Sequence, residues 1–415
     1  MKHATLILTL GAMAAASFPA CVGGGEAQRA PPDRDLGEGG ATAFERDLAF
    51  LREHDPDLVV LRSGDAALAA SARYQGKVFT STTGGGESQG YIAYGAFAVD
   101  PPAARINAYG GEQRLWVGPE GGPLSVFFPA DVPFAHEYWR TPAPIDREPW
   151  ELASAGEREV SFRKTARFAS RAGATFDARL DRRVELLDAT ELRERLGGEV
   201  VDELAGVGYV TANALTNVGA EPWTEQTGAP CLWALDMLPA GDSVVVVLPY
   251  RGATPATLDT TNAGYFGATP PERLRVVEGA VLFRGDGEEV GKVGLPPRRA
   301  TGRLGAVDLE RGVLTVVDFG LDPRARYLGM EWAEADDPYA GDAATSYNHD
   351  NRPAGASFFE LESVGPAAFL APGETSAHRH AVYHLAGPRH AVMSATRRLL
   401  GPDSSALVSF LREAN

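Results

Sequence analysis

Apolar residues recur at helical spacing near the two ends of the chain and at strand spacing between them. In residues 43–54, Phe44, Leu48, Phe50 and Leu51 stand among charged residues, which predicts a short amphipathic helix. Short β-favouring runs follow, separated by Gly, Asp and Pro: residues 58–61, 67–72, 77–82, 91–99, 115–117, 124–128, 160–162, 166–168 and 183–187. Residues 190–196 read as a turn or two of helix. Further strands are expected at 207–215, 231–238, 243–248, 274–283, 313–319, 357–361 and 367–370. The run from Val244 to Leu248 is uninterruptedly apolar, as in a central strand buried on both faces. Residues 390–412 are helical again, with a break at Gly401-Pro402. No linker and no repeat of fixed period divides the chain after Phe44. The expectation is an all-β protein: one large antiparallel β-sandwich over residues 43–415, with short helices at its two ends.

The start of the chain has a different pattern. Residues 1–20 read as an export signal: Lys2 and His3, an apolar run from Ala4 to Ala16, then Ser17, Phe18, Pro19 and Ala20. The run is too short to span a bilayer. Cys21 follows a small residue, as at a bacterial lipoprotein processing site. This predicts an exported protein held on a membrane by a lipid on Cys21, with ordinary secretion as the alternative. Residues 21–42, rich in Gly, Pro and Ala, read as a flexible tether. Cys231 is then a lone thiol.

Charge changes the picture by exclusion. Lys+Arg is 39 against Asp+Glu 55, a net charge of -16, which repels a phosphate backbone and argues against a nucleic-acid partner. Gly 47 and Pro 29 fit many turns between short strands.

Four motifs could carry chemistry. In Arg114-Leu-Trp-Val-Gly-Pro-Glu-Gly-Gly122 a strand bearing Trp116 runs into a glycine-rich turn that presents Glu120. Phe134-Ala-His-Glu-Tyr-Trp139, followed closely by Asp146, sets His136 and Trp139 beside carboxylates. That combination suits a sugar, whose C–H face stacks on an indole and whose hydroxyls need charged or amide partners. Around Glu331-Trp-Ala-Glu-Ala-Asp-Asp-Pro-Tyr339 and Ser346-Tyr-Asn-His-Asp350, Glu331, Trp332, Asn348 and Asp350 again join carboxylate, amide and Trp. Asp336, Asp337 and Asp342 read as a solvated acidic loop. Trp223, in Glu221-Pro-Trp-Thr-Glu225, is a further stacking candidate. The fourth motif is His378, His380, His384 and His390. Alternating His on a strand point one way and could hold a metal, but a strand of structural histidines is the simpler expectation, and no metal or other cofactor is assigned. Gly86-Glu-Ser-Gln-Gly90 matches a nucleophile-elbow string without the flanking strand and helix, so Ser88 reads as part of a glycine-rich loop.

Several of these segments together resemble a known group. Phe358-Phe-Glu-Leu-Glu362 with Leu370-Ala-Pro-Gly-Glu374 resembles a C-terminal strand pair of the galactose-mutarotase-like superfamily. Tyr74-Gln-Gly-Lys-Val-Phe-Thr-Ser-Thr82, Leu115-Trp-Val-Gly-Pro-Glu-Gly-Gly122, Thr141-Pro-Ala-Pro-Ile-Asp146, Leu215-Thr-Asn-Val-Gly219 and Ser346-Tyr-Asn-His-Asp350 resemble, in that order, a bacterial family of unknown function within it, many of whose members look like exported lipoproteins. The resemblance implies a large β-supersandwich with a carbohydrate cleft. In the superfamily's epimerases a His acid and a Glu base open and close a sugar ring. Here no His follows Thr216-Asn217 until His349, while Glu331 falls near the place of a late-chain base. Two functions are therefore expected as rivals. One is an enzyme at an anomeric or glycosidic centre, with Glu120 or Glu331 as base and His136 as acid. The other is a non-catalytic sugar-binding lipoprotein in which Trp116, Trp139, Trp223 and Trp332 stack the ligand.

Overall fold

A computed structural model describes residues 40–253, 269–350 and 357–412. The leader, the start of the tether and Cys21 lie outside the described residues. The first helix, α1 (Ala43–His54), starts where the sequence predicts, closed by a capping box between Thr42 and Glu45. The chain then builds strands β1 (Val59–Ser63), β2 (Ala66–Ser71), β3 (Lys77–Thr82), β4 (Arg114–Gly118), β5 (Glu151–Ala155), β6 (Glu159–Ala169), β7 (Thr175–Leu186), β8 (Ala205–Asn217) and β9 (Cys231–Pro239). It continues through β10 (Val244–Pro249), β11 (Leu274–Val277), β12 (Ala280–Arg284), β13 (Gly291–Leu295), β14 (Arg303–Asp308), β15 (Val313–Phe319), β16 (Ala344–His349), β17 (Phe358–Val364) and β18 (Thr375–Ala386). The later helices are α2 (Ala143–Asp146), α3 (Ala189–Leu196), α4 (Gly198–Val201), α5 (Arg389–Leu400) and α6 (Ser404–Arg412).

The fold is mostly β, and every strand pair is antiparallel. A ten-stranded sheet runs β11-β12-β10-β14-β15-β18-β8-β7-β6-β5, a five-stranded sheet runs β13-β16-β17-β9-β4, and β1-β2-β3 form a third. Val244–Pro249 lies inside the large sheet with its apolar run buried, as its sequence requires. One face of the large sheet is covered by α3, α5 and α6, through Leu192, Val392, Leu400, Leu407 and Phe410. The other face meets the smaller sheets across the main apolar core.

Three expected strands do not form. Residues 124–128 make a compact turn, because Ser125 supplies local partners: its hydroxyl donates to the Glu120 carbonyl and accepts from the Phe127 N–H. Residues 91–99 become a 3₁₀ turn (Tyr94–Ala98) after one bridge at Ile92. Residues 367–370 turn on a Phe369 N–H to Ala367 carbonyl bond, and the Ala367 and Ala368 N–H groups donate to the Arg326 and Pro230 carbonyls instead of to a strand. The expected strand at 274–283 is instead a hairpin, broken where Gly279 takes φ +76°.

Candidate functional site

The site begins where β4 ends. Gly118 must be glycine because an added Cβ would lie 2.8 Å from the Met330 methyl and 2.9 Å from Cys231 Sγ. Gly121 is tighter still: its Cβ would stand 1.8 Å from the Glu331 carbonyl oxygen. The 118–122 turn is thus pressed onto residues 330–331, and Glu120 is aimed by that contact, with its N–H 3.3 Å from Met330 Sδ.

Beneath Glu120 is one face of the five-stranded sheet. The antiparallel register places Lys292, Thr345, Glu360, Glu362, Trp233, Arg114 and Trp116 on that face. Glu362 Oε2 accepts from Lys292 Nζ at 2.9 Å, from Trp233 Nε1 at 2.9 Å and from the Thr345 hydroxyl at 2.7 Å. Arg114 reaches Glu360 Oε1 at 2.6 Å and lies 4.2 Å over the Trp116 ring. Asp342 is buried above Gly294 on the same face, since a Cβ there would stand 2.1 Å from its Oδ2.

The walls are aromatic. Trp116 packs on Trp233 and Phe127, Phe127 stacks on Trp139, and Trp139 stacks on Trp332 at 5.9 Å and on His136 at 6.4 Å. Trp116 and Trp139 are only 6% exposed, so these rings close the cluster and do not form an open platform. Glu120, Trp332 and His136 keep partial exposure and mark its mouth.

Electrostatics follow from the burial of so many acids. Burial raises the Glu120 carboxyl to about 7; Lys292 opposes the shift, Glu362 adds to it, and Trp332 and Trp139 oppose it as indole donors. Trp139 Nε1 lies outside full hydrogen-bond geometry with any acceptor. Glu360 is likewise raised to about 7 by burial, against Arg114 and with Glu362. Burial alone would depress Lys292, but Glu362 and Glu120 overcome it and its pKa ends raised. His136 is lowered by burial and by Arg105 and Arg140. Arg105 donates to its Nδ1 at 2.8 Å, so the neutral ring carries its proton on Nε2.

The other expected site residues are placed as follows. Glu331 touches the 120–122 turn through its backbone, while its Oε2 lies 3.3 Å from where a Cβ on Gly329 would stand. Asn348 points to the opposite face of β16 and is fully engaged there: its Oδ1 accepts from Gly287 N–H at 2.9 Å and its Nδ2 donates to the Glu289 carbonyl at 2.8 Å. Its geometry is that of a turn support, not of a ligand contact. Asp350 follows β16 and acts on His349. Trp223 packs on Phe176 at 5.6 Å, and its backbone N–H donates to the Leu370 carbonyl. Asp342, expected in solvent, is 5% exposed because the chain folds it over Gly294. Asp336 and Asp337 are exposed.

Sequence reasoning passed over Lys292, Glu360 and Glu362 as site residues. Their signal was present: two Glu at i and i+2 in an apolar strand must share a face, and Lys292 is one of four lysines, set inside the strand-like Gly291-Lys-Val-Gly-Leu295.

A second polar network lies between the sheets and is sealed. His378 Nε2 is 2.7 Å from Ser363 Oγ, His380 Nδ1 is 2.8 Å from the same oxygen, and His380 Nε2 is 2.8 Å from Asp236 Oδ2. One polarity satisfies all three: His378 donates to Ser363, Ser363 to His380, and His380 to Asp236. Burial and the neighbouring His380 lower His378 to about 3, so it stays neutral. His384 bridges Glu112 and Thr315. The alternating histidines do share one face, but among the described residues no group of His, Cys, Asp and Glu is arranged to hold a metal.

The chain belongs to the family of unknown function DUF6786, whose profile matches residues 42–409. No curated protein matches it. Among solved structures it is similar to the Slr1438 protein from Synechocystis, with 13% identity, TM-score 0.49, and 80% of this chain and 96% of that one covered. It is similar too to a galactose mutarotase related enzyme from Lactobacillus acidophilus, with 6% identity, TM-score 0.46 and coverage of 79% and 97%. A galactose mutarotase-like protein from Lactobacillus casei aligns with 9% identity, TM-score 0.43 and coverage of 79% and 99%.

Proposed function

We propose that the protein binds a carbohydrate at the mouth of the Glu120 cluster and that Glu120 moves a proton at the sugar's anomeric centre. The observation that carries this reading is the setting of Glu120. It is a partly exposed carboxyl with a pKa of about 7, beside the stacked Trp139 and Trp332 and under the influence of Lys292 and Glu362. A group poised near neutral pH can both accept and return a proton, which ring opening and closing requires. Trp332, the partly exposed indole at the mouth, supplies an apolar wall for a sugar face, and Glu120 with the charged floor behind it supplies partners for its hydroxyls. Neutral His136, its Nδ1 accepting from Arg105 and its ring stacked on Trp139, is the candidate acid toward a ring or glycosidic oxygen. Glu331 holds the turn through its backbone and is the secondary candidate for base.

The test is polarimetry. Single anomers of common hexoses should relax to equilibrium faster with the protein. Glu120→Gln should lower that acceleration by about 10²-fold or more. Binding that survives without any acceleration would identify a sugar-binding protein that does no chemistry. Absence of both would end the carbohydrate reading.

The proposal includes location. The leader of residues 1–20 and Cys21 support export and a lipid anchor, which would place the site on the outer side of a membrane.

A further inference from the structure

Two guanidinium groups stand beside His136 at the mouth of the site. Arg105 donates from Nη1 to His136 Nδ1 at 2.8 Å. Arg140 folds its Nη1 back onto its own loop, donating to the Trp139 carbonyl at 2.7 Å and the Glu137 carbonyl at 2.5 Å. The backbone holds the two arginines together: the Thr141 N–H donates to the Arg105 carbonyl at 2.9 Å, and the Arg140 N–H to the Phe127 carbonyl at 2.9 Å. Both charges act on His136 and help to lower its pKa. Arg105 is half-buried and Arg140 is exposed, so neither lies behind the closed Trp rings.

Neither guanidinium forms an ion pair among the described residues, although acids outnumber bases by 55 to 39 in the chain. Arg171, which lies over the Phe134 ring, does meet an acid, Glu334, at 3.3 Å. Glu137 acts on His136 but pairs with neither arginine. Arg105 and Arg140 therefore each spend Nη1 alone and keep the Nε–Nη2 edge without a protein acceptor. That edge is the fork that binds a carboxylate through two parallel N–H···O bonds.

We propose that the sugar is a hexuronate, with its carboxylate held by Arg105 and Arg140 and its anomeric centre turned toward Glu120. This deepens the carbohydrate reading and rests on it. The connectivity of the sugar fits the order of the side chains. In a hexuronate the carboxylate is borne by the ring carbon bonded to the ring oxygen, and the anomeric carbon is that oxygen's other neighbour. A ring whose oxygen faces His136 therefore brings its carboxylate beside the arginine bonded to His136, and keeps it apart from Glu120. A neutral hexose would offer the arginines a hydroxymethyl group without charge. Hydrated guanidiniums cost little, so their effect is selectivity: the acid sugar gains an attraction that the neutral one lacks.

Calorimetric titration of the full chain at about pH 7 and low salt tests this. The probes are D-glucuronate, D-galacturonate and D-mannuronate, the corresponding hexoses, D-glucose 6-phosphate and acetate. At least one uronate should bind about tenfold more tightly than its hexose, the gain expected of one charge-assisted contact. Added salt should shrink that ratio. In Arg140→Gln, a change at an exposed side chain, the uronate-to-hexose ratio should fall toward one, and Arg105→Gln should do the same. A ratio that survives both substitutions, or that is one from the start while the hexoses bind, overturns the hexuronate inference and leaves the carbohydrate reading standing. Tighter binding of glucose 6-phosphate than of every uronate overturns it in favour of a phosphate site on the same arginines. Acetate binding as tightly as the uronates marks an adventitious ion only and overturns it as well. No binding of any probe overturns both readings.

Discussion

Lys292 Nζ lies 2.9 Å from Glu362 Oε2, and this one oxygen also takes the Trp233 indole and the Thr345 hydroxyl. The pair is buried, at 6% and 1% side-chain exposure, and it joins β13 to β17 across β16. Removing one partner leaves the other charge stranded. Lys292→Met is expected to cost about 3 kcal/mol or more in urea unfolding at pH 7. The double variant Lys292→Met with Glu362→Gln should regain over half of that loss. Additive losses would mean the two side chains do not act as a pair.

Glu120 gives a pH dependence of opposite sign to an ordinary salt-bridged carboxylate. Its folded pKa, about 7, stands above the value of 4.5 for a free glutamate, so the folded state holds an extra proton between those pH values. The stability due to this group is complete below about pH 4.5 and declines as pH rises through 7. Partial exposure limits the loss to about 1–3 kcal/mol. Melting curves of Glu120→Gln should be flatter over that range and more stable than the parent at pH 8. A less stable variant at pH 8 would show that the ionised carboxylate supports the fold.

The close approach of the 118–122 turn to residues 330–331 is equally open to test. Gly121→Ala puts a methyl 1.8 Å from the Glu331 carbonyl, so the segments must part. The expected cost is about 2–4 kcal/mol. Tryptophan fluorescence should change as well, because Trp332 moves relative to Trp139. Unchanged melting and fluorescence would mean that the contact is dispensable.

The relay between the sheets should behave as structure. His380→Ala removes the donor to Asp236 in a site of 0% exposure and should cost about 3–5 kcal/mol. His380→Ala with Asp236→Ala should cost less than the sum of the two single changes. Intact stability with lost sugar turnover would instead move the chemistry to this network.

The lipid anchor is tested by fatty-acid labelling in the native host. Cys21→Ser should abolish labelling and release the chain from the membrane fraction. Unchanged labelling would remove the anchor from the proposal.

Much of the fold was legible because strand chemistry is local. Lys77–Thr82 and Val313–Phe319 were read to the residue, and the break at Gly401-Pro402 divides α5 from α6. The alternation of His378, His380 and His384 already placed them on one face. Glycines crowding Glu120 signalled a close approach, and Gly121 has one. Sequence could not decide what lay opposite these residues. Glu360 and Glu362 belong to β17, Lys292 to β13 and Arg114 to β4, and only the antiparallel register sets them on one face. A one-residue slip would have turned all of them toward the ten-stranded sheet. Asn348 and Asp342 were misread for the same reason: the face an amide points to, and the burial of a loop acid, depend on neighbours from other strands. The raised pKa of Glu120 is likewise tertiary, because desolvation is a property of the surroundings and not of the residue.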